Sequence, residues 1–174
     1  ASAPGFSSTC QGSCNGYAVV IPSGGVSPYT YSWTPSGNTT ANANNLCAGN
    51  YCIKVSDANG CSVDTCVTVG EPTAISLTTS TVTSHCNQAD GSATVTTSGG
   101  TPATVGPGYT YLWTPSGQTT ATATGLTPGN YCVTVKDTNN CADTACVVVP
   151  NALGVVAGIA SSTNVSCFGM CDGK

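Results

Sequence analysis

Tyr29-Thr30-Tyr31-Ser32-Trp33-Thr34-Pro35-Ser36-Gly37 returns as Tyr109-Thr110-Tyr111-Leu112-Trp113-Thr114-Pro115-Ser116-Gly117. A repeat of this length marks two copies of one structural unit. The match runs on without a gap: Leu46 to Cys52 returns as Leu126 to Cys132, and Asp57-Ala58-Asn59-Gly60-Cys61 as Asp137-Thr138-Asn139-Asn140-Cys141. Upstream, Ser23-Gly24-Gly25 matches Ser98-Gly99-Gly100, with five extra residues before Tyr109 that read as a surface loop. Near the end, Cys167-Phe168-Gly169-Met170-Cys171-Asp172-Gly173 echoes Cys10-Gln11-Gly12-Ser13-Cys14-Asn15-Gly16 and opens a third copy.

Within a copy, short runs separated by turn residues read as strands: Ala18 to Ile21, Tyr29 to Trp33, Thr39 to Ala43, Tyr51 to Ser56 and Ser62 to Val69. Tyr51, Ile53 and Val55 share one face, while Cys52, Lys54 and Ser56 share the other, as a strand with one buried side requires. Asp57 to Gly60 supplies a hairpin turn. The expected fold is all-β: tandem immunoglobulin-like (PKD-like) sandwiches stapled by disulfides, over residues 1–72 and 73–152, with a truncated third repeat over 153–174. Gly70-Glu71-Pro72-Thr73 makes a short linker stiffened by proline, and Ala74 to Ser84 opens the second sandwich.

Composition supports this class and narrows the function. Only 6% of residues are charged, which leaves little material for salt-bridged helices. Twelve cysteines point to an oxidising compartment, so the chain is expected to be extracellular, on a cell surface or in a secreted filament. A formal charge of −4 with three basic residues gives no basic patch for nucleic acid, and no apolar run is long enough to insert in a membrane.

Comparing the copies suggests cysteine pairs. Cys14 and Cys47 are replaced together by Ala89 and Thr127, which pairs Cys14 with Cys47. Four cysteines remain in each copy. Cys52 and Cys66 both point outward across the hairpin, so they pair, as do Cys132 and Cys146. This leaves Cys10 with Cys61 and Cys86 with Cys141, while Cys167 and Cys171 have no partner in the chain. Zinc is disfavoured as an alternative, because outward cysteines on a hairpin diverge and only His85 could supplement them. No Cys-x-x-Cys redox motif occurs.

Asp90 to Val95, Ser98 to Gly100, Tyr109 to Trp113, Thr119 to Leu126, Pro128 to Tyr131 and Asp137 to Cys141 together resemble the SprB-type repeat of bacterial gliding-motility adhesins, and the first copy follows more loosely. The resemblance implies large surface proteins or extracellular filaments built from many such repeats, commonly exported by the type IX route. It implies no particular ligand. The family pattern usually carries only the equivalents of Cys10 and Cys61, so the added pairs here suggest a harsh or load-bearing setting.

Other chemistry is sparse. One His, seven carboxylates and three basic residues do not supply a catalytic constellation, so no enzymatic activity and no catalytic residue is expected. Trp33 and Trp113 lie mid-strand and read as sandwich core rather than as sugar-stacking platforms, and Tyr51 and Tyr131 as corner tyrosines tied to backbone by their hydroxyls. No cofactor or metal is expected. Calcium at Asp57 with Asn59, or Asp137 with Asn139, is the weaker alternative to Asx turns. Asn38 and Asn164 fit the N-glycosylation sequon, and Asp143-Thr144-Ala145 the bacterial O-glycosylation pattern at Thr144. The expected function is a structural or adhesive repeat segment, whose partners are neighbouring repeats of the same or identical chains and surface glycans. Two alternatives are a carbohydrate-binding module of a secreted enzyme and a filament subunit using its C-terminal segment as a donor strand.

Overall fold

The computed structural model describes residues 1–106 and 108–154. The third-repeat segment, with Asn164, Cys167 and Cys171, therefore lies almost wholly outside the described residues. The first sandwich contains β1 (Gly5–Phe6), β2 (Gly16–Val19), β3 (Thr30–Thr34), β4 (Asn42–Leu46), β5 (Gly49–Ser56) and β6 (Ser62–Val69). The second contains β7 (Ser76–Val82), β8 (Ser84–His85), β9 (Gly91–Ser98), β10 (Thr110–Thr114), β11 (Thr122–Leu126), β12 (Gly129–Lys136), β13 (Ala142–Val149) and β14 (Asn151–Ala152). There is no helix among the described residues.

Each unit packs two three-stranded antiparallel sheets face to face. The orders are β1-β2-β4 with β3-β5-β6, then β7-β9-β11 with β10-β12-β13. A short parallel pair, β8 with β14, is added at one end of the second unit. This is an immunoglobulin-like arrangement, with each sheet hydrogen-bonding a strand to one distant in sequence. One expected strand moves: the run read as Thr39 to Ala43 forms its strand at Asn42–Leu46 instead. Trp33 N–H donates to the Asn38 carbonyl and Gly37 N–H to that of Trp33, so the turn holds this stretch beyond the point where alternation suggested a start.

The cores follow from alternation. Tyr51, Ile53 and Val55 are buried on β5, and Tyr131, Val133 and Val135 on β12. From the opposite sheets come Ala18, Val20, Ala43 and Leu46, and then Ala93, Val95, Ala123 and Leu126. Trp33 is 1% exposed and Trp113 0%. Alanines on the facing sheet leave room for an indole, since a core of fixed volume balances large residues against small ones. Each indole N–H donates to a backbone carbonyl, Thr40 or Thr120, at 2.9 Å, which satisfies the buried polar atom. Tyr51 and Tyr131 donate their hydroxyls to the carbonyls of Cys47 and Thr127, four residues upstream, at 3.1 and 3.0 Å.

Candidate functional site at the junction of the sandwiches

Each sandwich has two unlike poles. Strands β6 and β13 begin at the hairpin turns Asp57–Gly60 and Asp137–Asn140 and run to the opposite ends, where the chain leaves. The first strand of the second unit starts beside the hairpin pole, with Ser76 opposite Ser98. The chain thus enters at a hairpin pole and departs at an exit pole, and the exit pole of the first sandwich abuts the hairpin pole of the second.

Hairpin poles are built around an aspartate. Asp137 Oδ1 accepts the N–H of Asn139 and of Cys141, both at 2.9 Å, and Oδ2 accepts that of Thr101 at 2.8 Å. Asp57 does the same with Asn59, Cys61 and Val26 at 3.0, 2.8 and 3.1 Å. The Val26 N–H, with those of Cys61 and Asn59 adding to it, holds the Asp57 carboxyl below its ordinary value of 3.8 against a desolvation that pushes it up. These carboxylates are engaged by backbone donors, which is the Asx-turn arrangement weighed against calcium. Among the described residues, no three His, Cys, Asp or Glu side chains gather as metal ligands would.

The junction combines one contact between the sandwiches with two that brace the segment joining them. Thr9 C=O accepts the Asn139 side-chain amide at 3.1 Å, Gly100 N–H donates to the Thr73 carbonyl at 2.9 Å, and Gly12 N–H donates to Glu71 Oε2 at 2.6 Å. Ile75 and Asp137 both crowd Gly100, and Asp137 is buried at 5% exposure. Its counterpart Asp57 is only half-buried. Gly99 must be glycine: its φ is +78°, and an added Cβ would collide with the Ala74 carbonyl oxygen of the linker.

A disulfide closes the junction and overturns two expected pairs. Cys10 is bonded to Cys141, with Cα atoms 5.6 Å apart, not to Cys61. Cys86 is likewise not bonded to Cys141, and both Cys61 and Cys86 are exposed thiols. The reason is polar placement. Ser8 N–H donates to Gly70 C=O, which fixes the Cys10 loop at the exit pole, whereas Cys61 precedes β6 at the hairpin pole. Eight residues of strand lie between, about 26 Å at ~3.3 Å per residue, while a disulfide needs Cα atoms within about 7 Å. The same holds for Cys86, at the exit pole through Ser84 N–H to Pro150 C=O, and Cys141.

The other bonds lie inside sandwiches. Cys14 joins Cys47, Cys52 joins Cys66, and Cys132 joins Cys146. Cys52 faces Cys66 and Cys132 faces Cys146 directly across their ladders. In the second unit Thr127, standing at the Cys47 position, meets the Tyr131 hydroxyl at 3.2 Å. Asn38 is half-buried in the turn after β3, and Thr144 is exposed on β13. His85 pairs with Asp90 at 2.9 Å on the surface, and the His85 N–H and ring hold the Asp90 carboxyl below its ordinary value. Sequence reasoning overlooked Phe6 and Tyr17, whose exposed rings stack with centroids 4.2 Å apart on paired strands. Their pairing depends on register between β1 and β2, which neither residue signals alone.

The SprB repeat family matches this chain at residues 7–38 and 78–118. No curated protein matches it. Among solved structures, murine CEACAM1b is similar at 10% identity, over 87% of this chain and 100% of its own, with a TM-score of 0.32. The fibronectin(III)-like modules of Clostridium thermocellum CbhA are similar at 18% identity, over 84% of this chain and 88% of theirs, with a TM-score of 0.25. The two matched stretches fall one in each sandwich.

Proposed function

We propose that this chain is a structural segment of an extracellular surface adhesin or filament, non-catalytic, whose work is to span distance and hold its shape between neighbouring repeats. The observation that carries this reading is the head-to-tail junction: chain entrance and exit lie at opposite poles, and the Cys10–Cys141 bond ties one sandwich to the next. A binding domain standing alone gains nothing from such a bond, whereas a rod needs its joints fixed. Disulfide-dense sandwiches suit the outside of a cell, where thiols are oxidised. Antibody raised against the chain, applied to intact cells of the source organism and viewed by immunogold microscopy, should decorate the surface or filaments leaving it. Label that appears only after lysis overturns the proposal.

A second reading, glycan adhesion, is favoured by the Phe6–Tyr17 stack, since exposed aromatic faces are the usual platform for sugar rings. A glycan array probed with the native chain and with Phe6→Ala decides it. Binding lost in the variant supports adhesion through this face, and no binding by the native chain removes it.

A further inference from the structure

Among the described residues, the two free thiols, Cys61 and Cys86, occupy the positions that are bonded at the internal junction. Cys86 matches Cys10: each follows a buried serine, Ser84 or Ser8, whose N–H donates to the carbonyl just past the last strand of its sandwich, Pro150 or Gly70. Cys61 matches Cys141: each N–H donates to Oδ1 of the hairpin aspartate, Asp57 or Asp137. Each hairpin pole also carries a left-handed glycine against that aspartate, Gly25 or Gly100. On the second sandwich Cys10, Gln11 and Pro72 to Ile75 meet this pole and line a cleft with Gly100, Asn140 and Cys141. On the first, Pro22, Ser23, Gly24, Tyr29, Cys61 and Val63 line the corresponding groove, with Ala1 beside them. Asn59, the counterpart of the junction's Asn139, is exposed there.

From this internal precedent we infer that Cys61 and Cys86 are the two open ends of a disulfide relay, in which the leading cysteine of every repeat bonds the hairpin cysteine of the repeat after it. Cys86 would bond the hairpin cysteine of a following SprB-type repeat, and Cys61 would receive the leading cysteine of a preceding one. The inference rests on the array reading above and adds its covalent connectivity. In each bond two thiols lose two protons and two electrons to a disulfide oxidant, which is released as two thiols, so the exchange balances. The stacking shown at the internal junction supplies the geometry, and the Asn139 and Gly100 contacts there fix the approach of the sulfurs.

The test is peptide mapping of native material, alkylated under denaturing, non-reducing conditions and read by mass spectrometry. Cys61 and Cys86 should be unalkylated, each in a cross-linked peptide. Cys86 joined to Cys61 identifies the neighbour as a second copy of this chain. It should be accompanied by a ladder on non-reducing gels that reduction or Cys86→Ser abolishes. Cys86 joined to a peptide absent from residues 1–174 identifies a following repeat of a longer chain. Either result supports the relay. Alkylated Cys61 and Cys86, or bonds of Cys10 to Cys61 and Cys86 to Cys141, overturn it. Should those outcomes occur in material that immunogold places on the surface, the relay fails and the proposed function stands.

Discussion

Trp113 and its neighbour Leu112 show how strictly alternation assigns roles in this fold. The indole is 0% exposed and hydrogen-bonded, whereas Leu112 is 48% exposed. Trp113→Ala should cost about 3–5 kcal/mol in chemical denaturation and Leu112→Ala within about 0.5 kcal/mol. Comparable losses from both would contradict the assignment of faces. At the hairpin pole, Asp57 has its folded pKa lowered, so its contribution is complete above the unfolded value of 3.8 and is lost as pH falls through the lower folded value. Thermal unfolding of native chain and Asp57→Asn, followed from neutral to strongly acid pH, should show the native chain losing more of its midpoint below that value. Parallel curves would mean that Asp57 is not coupled to folding. Single residues such as these were legible in the sequence, because burial follows period-two alternation and an Asx turn follows Asp-x-Asn.

At the scale of strands and turns, the sequence expresses what is local and cross-strand. The register of β5 with β6 sets Cys52 opposite Cys66, and parity along two strands joined by a short turn contains that information. It does not contain the position of Cys10, because parity names the face of a strand and says nothing of the pole. The assumption that a repeat closes on itself then led to Cys61. The true partner became visible only when two repeats were stacked, a contact between residues 131 apart. The linker imposes a comparable local demand. Gly99→Ala combines a left-handed φ of +78° with a collision against Ala74, while Gly117→Ala carries φ +72° in open space. Denaturation should show about 1 kcal/mol lost for Gly117→Ala and at least about 2 kcal/mol for Gly99→Ala. Equal losses would show that the linker does not press on Gly99.

For the molecule as a whole, the tandem fold was readable from internal repetition, and the way its halves are fastened was not. In the chain-entropy account, closing a loop of this length restricts the unfolded ensemble by about 5 kcal/mol. Pulled from its ends, the oxidised molecule transmits force through residues 1–10, across the Cys10–Cys141 bond, and along β13. Single-molecule extension with and without reductant should differ by on the order of 400 Å, from the 131 residues the bond encloses at ~3.5 Å each. A difference of only about 200 Å, from the residues that the other three bonds enclose, would show that the bond is absent in solution. The same bond alters what a protease can achieve. The inserted loop before Tyr109 is exposed, at Val105 by 87%, and offers a cutting site to a protease. A cut there, or anywhere between residues 11 and 140, leaves both ends of the molecule joined through sulfur. Nicked protein should therefore migrate as one species until it is reduced, and then fall into two fragments.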